Sequence, residues 1–265
     1  MQPDHASISG GTRVERVPLR NSVGLPLVSI IVVAFRDREE VAALIENIAT
    51  YSGPDVELVV IDGGSDDGTL ELLRARNEAV DYWLSEPDTG VYEAMNKGIA
   101  AAVGQYILHL NAGDRLLHVP SAELLQCMQG GVDIACFSVL LDGGVVHVPK
   151  GVRSLLVENT WHHQGTFYRR HAHLGYDPTF RVYGDFDHNQ RMAKAGKSVR
   201  TFPTIVSSHC NPGLSGSKQH FAEVYRSIRK NSGVAYVALA FLNFKMRGAR
   251  KRFVQLLSHI QGAPK

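Results

Sequence analysis

The hydrophobic positions of this chain alternate between two patterns, and each predicts an element. Leu27–Phe35 reads LVSIIVVAF, a nearly continuous β-branched run of the kind found in strands covered on both faces. Asp37 stands three residues before Glu40, a capping box that predicts an amphipathic helix to about Thr50. Val56–Ile61 predicts a second buried strand, closed by the run Asp62-Gly63-Gly64-Ser65-Asp66-Asp67-Gly68-Thr69, after which a helix reaches about Arg76. Asp81–Ser85, Val91–Val103 and Gln105–Leu110 continue as strand, helix and strand. The second half is less regular. Asp133–Leu140 and Val145–Val148 flank Asp142-Gly143-Gly144 as a hairpin, Gly165–Arg169 reads as a strand, Asp185–Ala195 as a helix stopped by Gly196, and Ser198–Val206 as a last strand.

Strands alternating with helices predict an α/β fold, a mostly parallel sheet flanked by crossover helices. Such sheets bind ligands beyond the carboxyl ends of their strands. Four strand ends here present polar groups: Arg36, Asp62, Glu86 to Asp88, and Asn111 to Asp114. No internal repeat is visible.

Composition narrows the class. With 265 residues, 44% hydrophobic and 20% charged, the chain suits one globular domain, with or without a small appendage. Three separated cysteines, Cys127, Cys136 and Cys210, cannot all pair with one another and read as small core residues in a reducing, cytoplasmic compartment. Residues 1–26 are polar and rich in Gly and Ser, and read as a flexible tail without fold content or export signal. The net charge of +2 is unevenly distributed. Nine of the 28 Lys and Arg follow Glu223 and no acid does, so residues 1–223 carry −7. The apolar run Val234–Phe241 within that tail is too short to span a bilayer, which needs about 20 residues. Residues 223–265 therefore read as a basic amphipathic helical tail, either packed on the domain or lying on an anionic membrane surface.

Several residues offer chemistry, each beside a plainer reading. Asp114 follows a buried strand with Gly113 beside it, which suits a hard cation bound to phosphates but also suits a turn. Asp62 is placed either to accept from a base or ribose or to order a glycine turn. Asp185 and Asp187 open a predicted helix, either as caps or as a general base facing a pocket. The twelve histidines match no established zinc spacing.

Taken together, the runs Val28–Arg36, Leu58–Thr69, Glu86–Ile99 and Gly104–Asp114, followed by His163–Arg170 and Gly184–Asp187, resemble glycosyltransferase family 2. These are inverting transferases with the GT-A fold, and the resemblance is to a branch that builds bacterial surface polysaccharides and glycolipids. It is dense over residues 27–118 and implies a nucleotide-sugar-binding half there, with an acceptor-binding, catalytic half over 119–222. It further implies that Asp62 contacts the base, uracil, beside Ala34, Phe35 and Arg36. Asp88, Asn96, Lys97, Asn111 and Ala112 would line the donor cleft. Asp114 would hold Mg²⁺ or Mn²⁺, Asp185 would be the base, and His163, Gln164 and Asp187 would meet a sugar or lipid-linked acceptor. One departure stands out: the family's Asp-x-Asp is here Asn111-Ala112-Gly113-Asp114, with one acid left and His209 as a supplementary ligand.

Other functions fit less well. A sugar nucleotidyltransferase would carry a Gly-rich basic loop after the first strand, where this chain has Arg36-Asp37-Arg38-Glu39-Glu40. A non-catalytic nucleotide-sugar-binding protein of the same fold would explain the missing acids. Nucleic acid is not expected as a partner, since no aromatic-basic recognition module accompanies the tail.

Overall fold

The computed structural model describes residues 7–14, 24–51, 53–209 and 220–246. Its strands are β1 (Ile8–Gly10), β2 (Val28–Ala34), β3 (Val56–Asp62), β4 (Tyr82–Ser85), β5 (Tyr106–Asn111), β6 (Asp114–Leu116), β7 (Ile134–Leu141), β8 (Val145–His147), β9 (Thr166–Arg169) and β10 (Val199–His209). They join in one sheet in the order β1-β4-β3-β2-β5-β9-β7-β10-β6, with β8 beside β7. The α-helices are α1 (Arg38–Ala49), α2 (Thr69–Ala75), α3 (Val91–Ala101), α4 (Ser121–Gln129), α5 (Gly184–Lys194) and α6 (Ala222–Asn231). A further helical run covers 234–246.

All seven residues of β2 are buried, and β3 and β5 flank it in parallel. The chain walks outward from β2 through β3 to β4, then returns to the far side of β2 for β5. At such a reversal the two strand-end loops diverge and leave a crevice. The register sets the strand ends level: Ala34 pairs with Asp62, Asp62 with Ser85, and Val33 with Asn111. Beyond β5 the sheet turns mixed, since β9 is antiparallel to both β5 and β7, β10 is parallel to β7, and β6 closes the edge antiparallel to β10.

Alternation along β2 divides the core. Ile30 and Val32 face Leu44, Ile48, Leu73 and Leu124, whereas Ile31 and Val33 face Tyr92, Met95 and Tyr176. Helix α3 lies close on that second face because Gly98 permits it: a Cβ there would stand 2.3 Å from Ile31 Cγ2. A third cluster joins Trp161, Phe186 and Met192 to Val224 and Ile228 of α6.

Two expectations are corrected. Residues 8–14 are not a tail without fold content. Ile8–Gly10 completes the edge of β4, and Arg13 pairs with Glu57, a carboxylate only 1% exposed that needs a counter-charge. Asp37 makes no side-chain cap on α1. Asp67 serves instead, accepting from Arg38 N at 3.0 Å and from Thr69 N at 3.1 Å, because the loops after β2 and β3 lie side by side. The short strand β6 and helix α4 carry too little periodicity to be read from sequence. Cys127 and Cys136 are buried free thiols, as expected; Cys210, residues 1–6 and 15–23, and the tail from 247 onward lie outside the described residues.

Candidate active site

The loops after β2 and β3 form one wall of the crevice. Ala34 is buried at the end of β2, while the Phe35 ring is 53% exposed with the Arg36 guanidinium 5.0 Å from its centroid. Arg36 has φ 57°, a left-handed backbone rarely taken by a side-chain-bearing residue. It is held there by Ser65 Oγ on its N–H at 2.8 Å and by a two-point contact with Asp66 at 2.8 and 2.9 Å. Asp62 lies beneath, fully buried, accepting from the Ser65 hydroxyl and amide and from Ser85 Oγ at 2.6 Å. Asp88 comes close to this loop because residue 63 is glycine: a Cβ there would be 2.6 Å from Asp88 Oδ2. Burial raises the Asp88 carboxyl above the usual range, against the Gly90 N–H it accepts from at 2.9 Å.

The end of β5 forms the second corner. Gly113, with φ 91°, turns the chain back so that Asp114 Oδ2 accepts the Asn111 N–H at 2.8 Å. Antiparallel pairing of β6 with β10 sets His209 opposite Asp114, and His209 Nδ1 lies 2.8 Å from Asp114 Oδ1. That hydrogen bond lifts His209 above the ordinary imidazole value, against its partial burial. Gln164 Nε2 is 3.4 Å from the same ring nitrogen.

Helix α5 supplies the third corner. Asp185, in its first turn, is 8% exposed; Oδ2 accepts from Asn159 Nδ2 at 2.9 Å and lies 3.5 Å from His163 Nδ1. Asn159 accepts in turn from Asn189, whose Oδ1 receives the Tyr168 hydroxyl at 2.6 Å. The other nitrogen of His163, Nε2, is 3.1 Å from Asn111 Nδ2. A chain of polar contacts therefore runs from Gln164 and His209 through Asp114, Asn111 and His163 to Asp185. Sequence reasoning missed Asn159, which carries no signal beyond standing four residues before His163.

Three of the expected site residues are engaged elsewhere in this geometry. Asp187 is fully buried and faces α6, held by Arg191 Nε at 2.7 Å, Asn231 Nδ2 at 2.9 Å and Lys230 Nζ at 3.0 Å, so it is not on the acceptor side. The Asn96 amide clamps a distant loop, donating to Tyr176 O at 2.9 Å and accepting from Tyr176 N at 2.7 Å. Lys97 is occupied by Glu86 at 2.9 Å, Glu93 at 3.4 Å and Pro87 O at 2.9 Å. Ala112 is half-buried beside Asn111 at the corner.

Among the described residues no group of three or more His, Cys, Asp or Glu is placed to hold a metal ion. The corner nonetheless suits a hard cation in its donor chemistry. Asp114 and His209 meet there, and two buried amide oxygens near them, Asn111 Oδ1 and Gln164 Oε1, have no hydrogen-bond partner. Unpartnered buried acceptors are rare, and oxygen ligands are what magnesium and manganese take.

The sheet order and its reversal at β2 and β5 are those of the GT-A fold, with a carboxylate-bearing crevice at that reversal. The model of Glycosyl transferase family 2 matches residues 29–190, and the chain belongs to that family. A "PGL/p-HBAD biosynthesis glycosyltransferase" of Mycobacterium bovis is 30% identical over 208 residues, which is 72% of this chain and 80% of that one. Two solved structures share the fold. The S. aureus TarS 1–349 complex with UDP-GlcNAc has TM-score 0.61 at 16% identity, and this chain spans 77% of its own length and 66% of that chain's. Mannosyltransferase PcManGT from Pyrobaculum calidifontis, with GDP-Man and Mn²⁺, has TM-score 0.60 at 17% identity over 92% of this chain and 77% of that one.

Proposed function

We propose that this glycosyltransferase moves a sugar from a nucleotide diphosphate donor to an acceptor hydroxyl with inversion at the anomeric carbon. The observation that carries the reading is the link from Asp114 through Asn111 and His163 to Asp185, which spans the crevice between a phosphate-side corner and a carboxylate on a helix. The exposed Phe35 ring offers a base a stacking surface. An edge of that base can take over the hydrogen bond Ser65 now makes to Asp62. Uridine is the favoured base, supported by the family resemblance and by the UDP-GlcNAc bound to the similar TarS fold.

The acceptor oxygen attacks the anomeric carbon from the face opposite the diphosphate, the bond to the diphosphate oxygen breaks, and Asp185 takes the hydroxyl proton. Asn159 and His163 hold the Asp185 carboxylate in place. Asp114, with His209 and the amide oxygens of Asn111 and Gln164, would hold Mg²⁺ or Mn²⁺, which supplies charge stabilisation to the departing diphosphate. No covalent sugar intermediate is needed. The first half of the domain, over 27–118, serves the donor and the second, over 119–222, the acceptor, in synthesis of a bacterial glycolipid or polysaccharide at the cytoplasmic side. The name of the mycobacterial relative supports that class of product.

A thermal-shift panel of UDP, GDP and their sugar conjugates, with Mn²⁺ or with chelator, tests the reading, because a ligand raises the midpoint according to its affinity for the native state. The expected result is the largest shift with a UDP-sugar and Mn²⁺. No shift with any nucleotide would reject it.

A further inference from the structure

The helix over 234–246 is apolar on two opposite sides. Tyr236, Val237 and Phe244 pack against the cluster of Trp161, Phe186 and Ile228, and Ala240 is fully buried within it. At about 100° per residue this stripe leaves Leu239, Leu242 and Met246 on the opposite side, with Val234 and Phe241 on the flank between. Those five are 52%, 54%, 65%, 70% and 47% exposed. A surface helix of a globular domain turns its polar residues outward. Here the single charged residue between 234 and 246 is Lys245, whose ammonium sits 4.7 Å from the centroid of the Phe241 ring. Contiguous apolar side chains left in water mark a contact surface.

The charge around that surface indicates what it contacts. No acidic residue follows Glu223. Two of the nearby cations belong to the body: Arg226 lies 3.8 Å from the centroid of the Phe180 ring, and Lys230 pairs with Asp177 at 2.8 Å and Asp187 at 3.0 Å. The sequence adds Arg229 and Lys245 and, beyond residue 246, Arg247, Arg250, Lys251 and Arg252. The same segment of a second copy would offer these cations no acidic partner, since none follows Glu223 in the sequence. An anionic lipid surface satisfies both features at once, taking the apolar side chains below its headgroups and pairing the cations with them. We propose that the outward face of the helix over 234–246 docks the protein on an anionic membrane surface. This goes beyond sugar transfer and stands without it.

Co-sedimentation of the full chain with phosphatidylcholine vesicles, with and without phosphatidylglycerol, tests the proposal. Each basic residue near an anionic surface strengthens binding about fivefold, so the expected preference for anionic vesicles is at least about tenfold, and it should weaken as salt is raised. The exposed-face variant Leu239→Ser/Leu242→Ser should weaken anionic-vesicle binding about tenfold while the thermal midpoint and the nucleotide-induced shift stay unchanged. Three results would overturn the proposal: no binding by the native chain, equal binding by native and variant chains, or a concentration-dependent dimer that the variant abolishes in the absence of vesicle binding. The nucleotide shift reads the donor site separately, so failure of docking and failure of the transferase reading are distinguishable.

Discussion

His163 stands between Asp185 and Asn111, with Nδ1 3.5 Å from the Asp185 carboxylate and Nε2 3.1 Å from the Asn111 amide. With the Asn111 amide donating to Nε2, the ring proton sits on Nδ1 and points at Asp185. His163 is then a positioning residue, tying the start of α5 to the end of β5. His163→Ala should lower kcat about tenfold with little change in donor KM, and His163→Asn, which keeps a short side-chain N–H, should recover part of the loss. Initial rates over a donor series separate the two parameters. A rise in KM alone would instead make His163 a binding contact.

Asp185→Asn keeps the shape of the corner and removes the carboxylate proposed to take the hydroxyl proton. Turnover is expected to fall about 10²-fold or more, with donor affinity unchanged. Titration of donor against the variant, followed by single-turnover rates, measures both. Unaltered turnover would leave Asp185 as a helix cap.

Asp114→Asn and His209→Ala test the phosphate-side corner. Each should abolish the extra stabilisation that Mn²⁺ gives to a nucleotide complex, because these are the two side chains, paired at 2.8 Å, proposed to hold the ion. Thermal shift with nucleotide, in Mn²⁺ or in chelator, is the readout. A full Mn²⁺ effect in Asp114→Asn would place the ion elsewhere.

Asp187→Ala should act on stability. It leaves Arg191 and Lys230 facing a buried, empty position, and breaking a buried ion pair costs about 3–5 kcal/mol, with the low end expected here because both cations are partly solvated. Denaturant unfolding measures the loss, while kcat of the folded fraction should stay close to that of the native chain.

Behind the crevice His109, His173 and His188 pack together, an arrangement that predicts loss of stability in acid. His109 and His188 are fully buried with neither ring nitrogen partnered among the described residues, and the His173 ring lies over His188 at 4.1 Å. Burial and mutual repulsion push His109 and His188 well below the ordinary value, and burial with the nearby Arg191 pushes His173 to about 3. The His173 Nδ1 accepts the Gly175 N–H at 2.9 Å, which also requires a neutral ring. In the unfolded chain these rings take up protons near pH 6.5, and in the folded chain they do so only at much lower pH. Between those limits the unfolded state binds more protons, so stability is full above about pH 6.5 and falls as the pH drops below it. Each ring contributes about 1.4 kcal/mol per pH unit. Thermal midpoints from pH 7 to pH 4 should fall steeply, and His173→Asn should flatten the slope by about one ring's share.

Much of the first half was legible in the chain itself. The apolar runs Leu27–Phe35 and Val56–Ile61 read as buried strands and proved to be so, which marked the polar residues after them as the place to look for a site. The Asn111-Ala112-Gly113-Asp114 turn was equally visible, because glycine is what a φ of 91° demands.

Tertiary structure decided what local pattern cannot. Asp185 and Asp187 stand two apart on one helix, so their side chains point about 200° apart, and only the packing of α6 shows which one faces the crevice. His209 meets Asp114 across 95 residues because β6 and β10 happen to pair, a register that no sequence window contains. Asn96 and Lys97 were expected to line the donor cleft, but in the fold Tyr176 and Glu86 engage their polar atoms. In the same way, the composition of the tail allowed either packing or a membrane. The helix over 234–246 is apolar on both sides, and only the folded domain determines which side is already covered. Periodicity along a chain records what a residue's own element requires, whereas the partners of a polar atom are set by whichever elements the sheet order brings beside it.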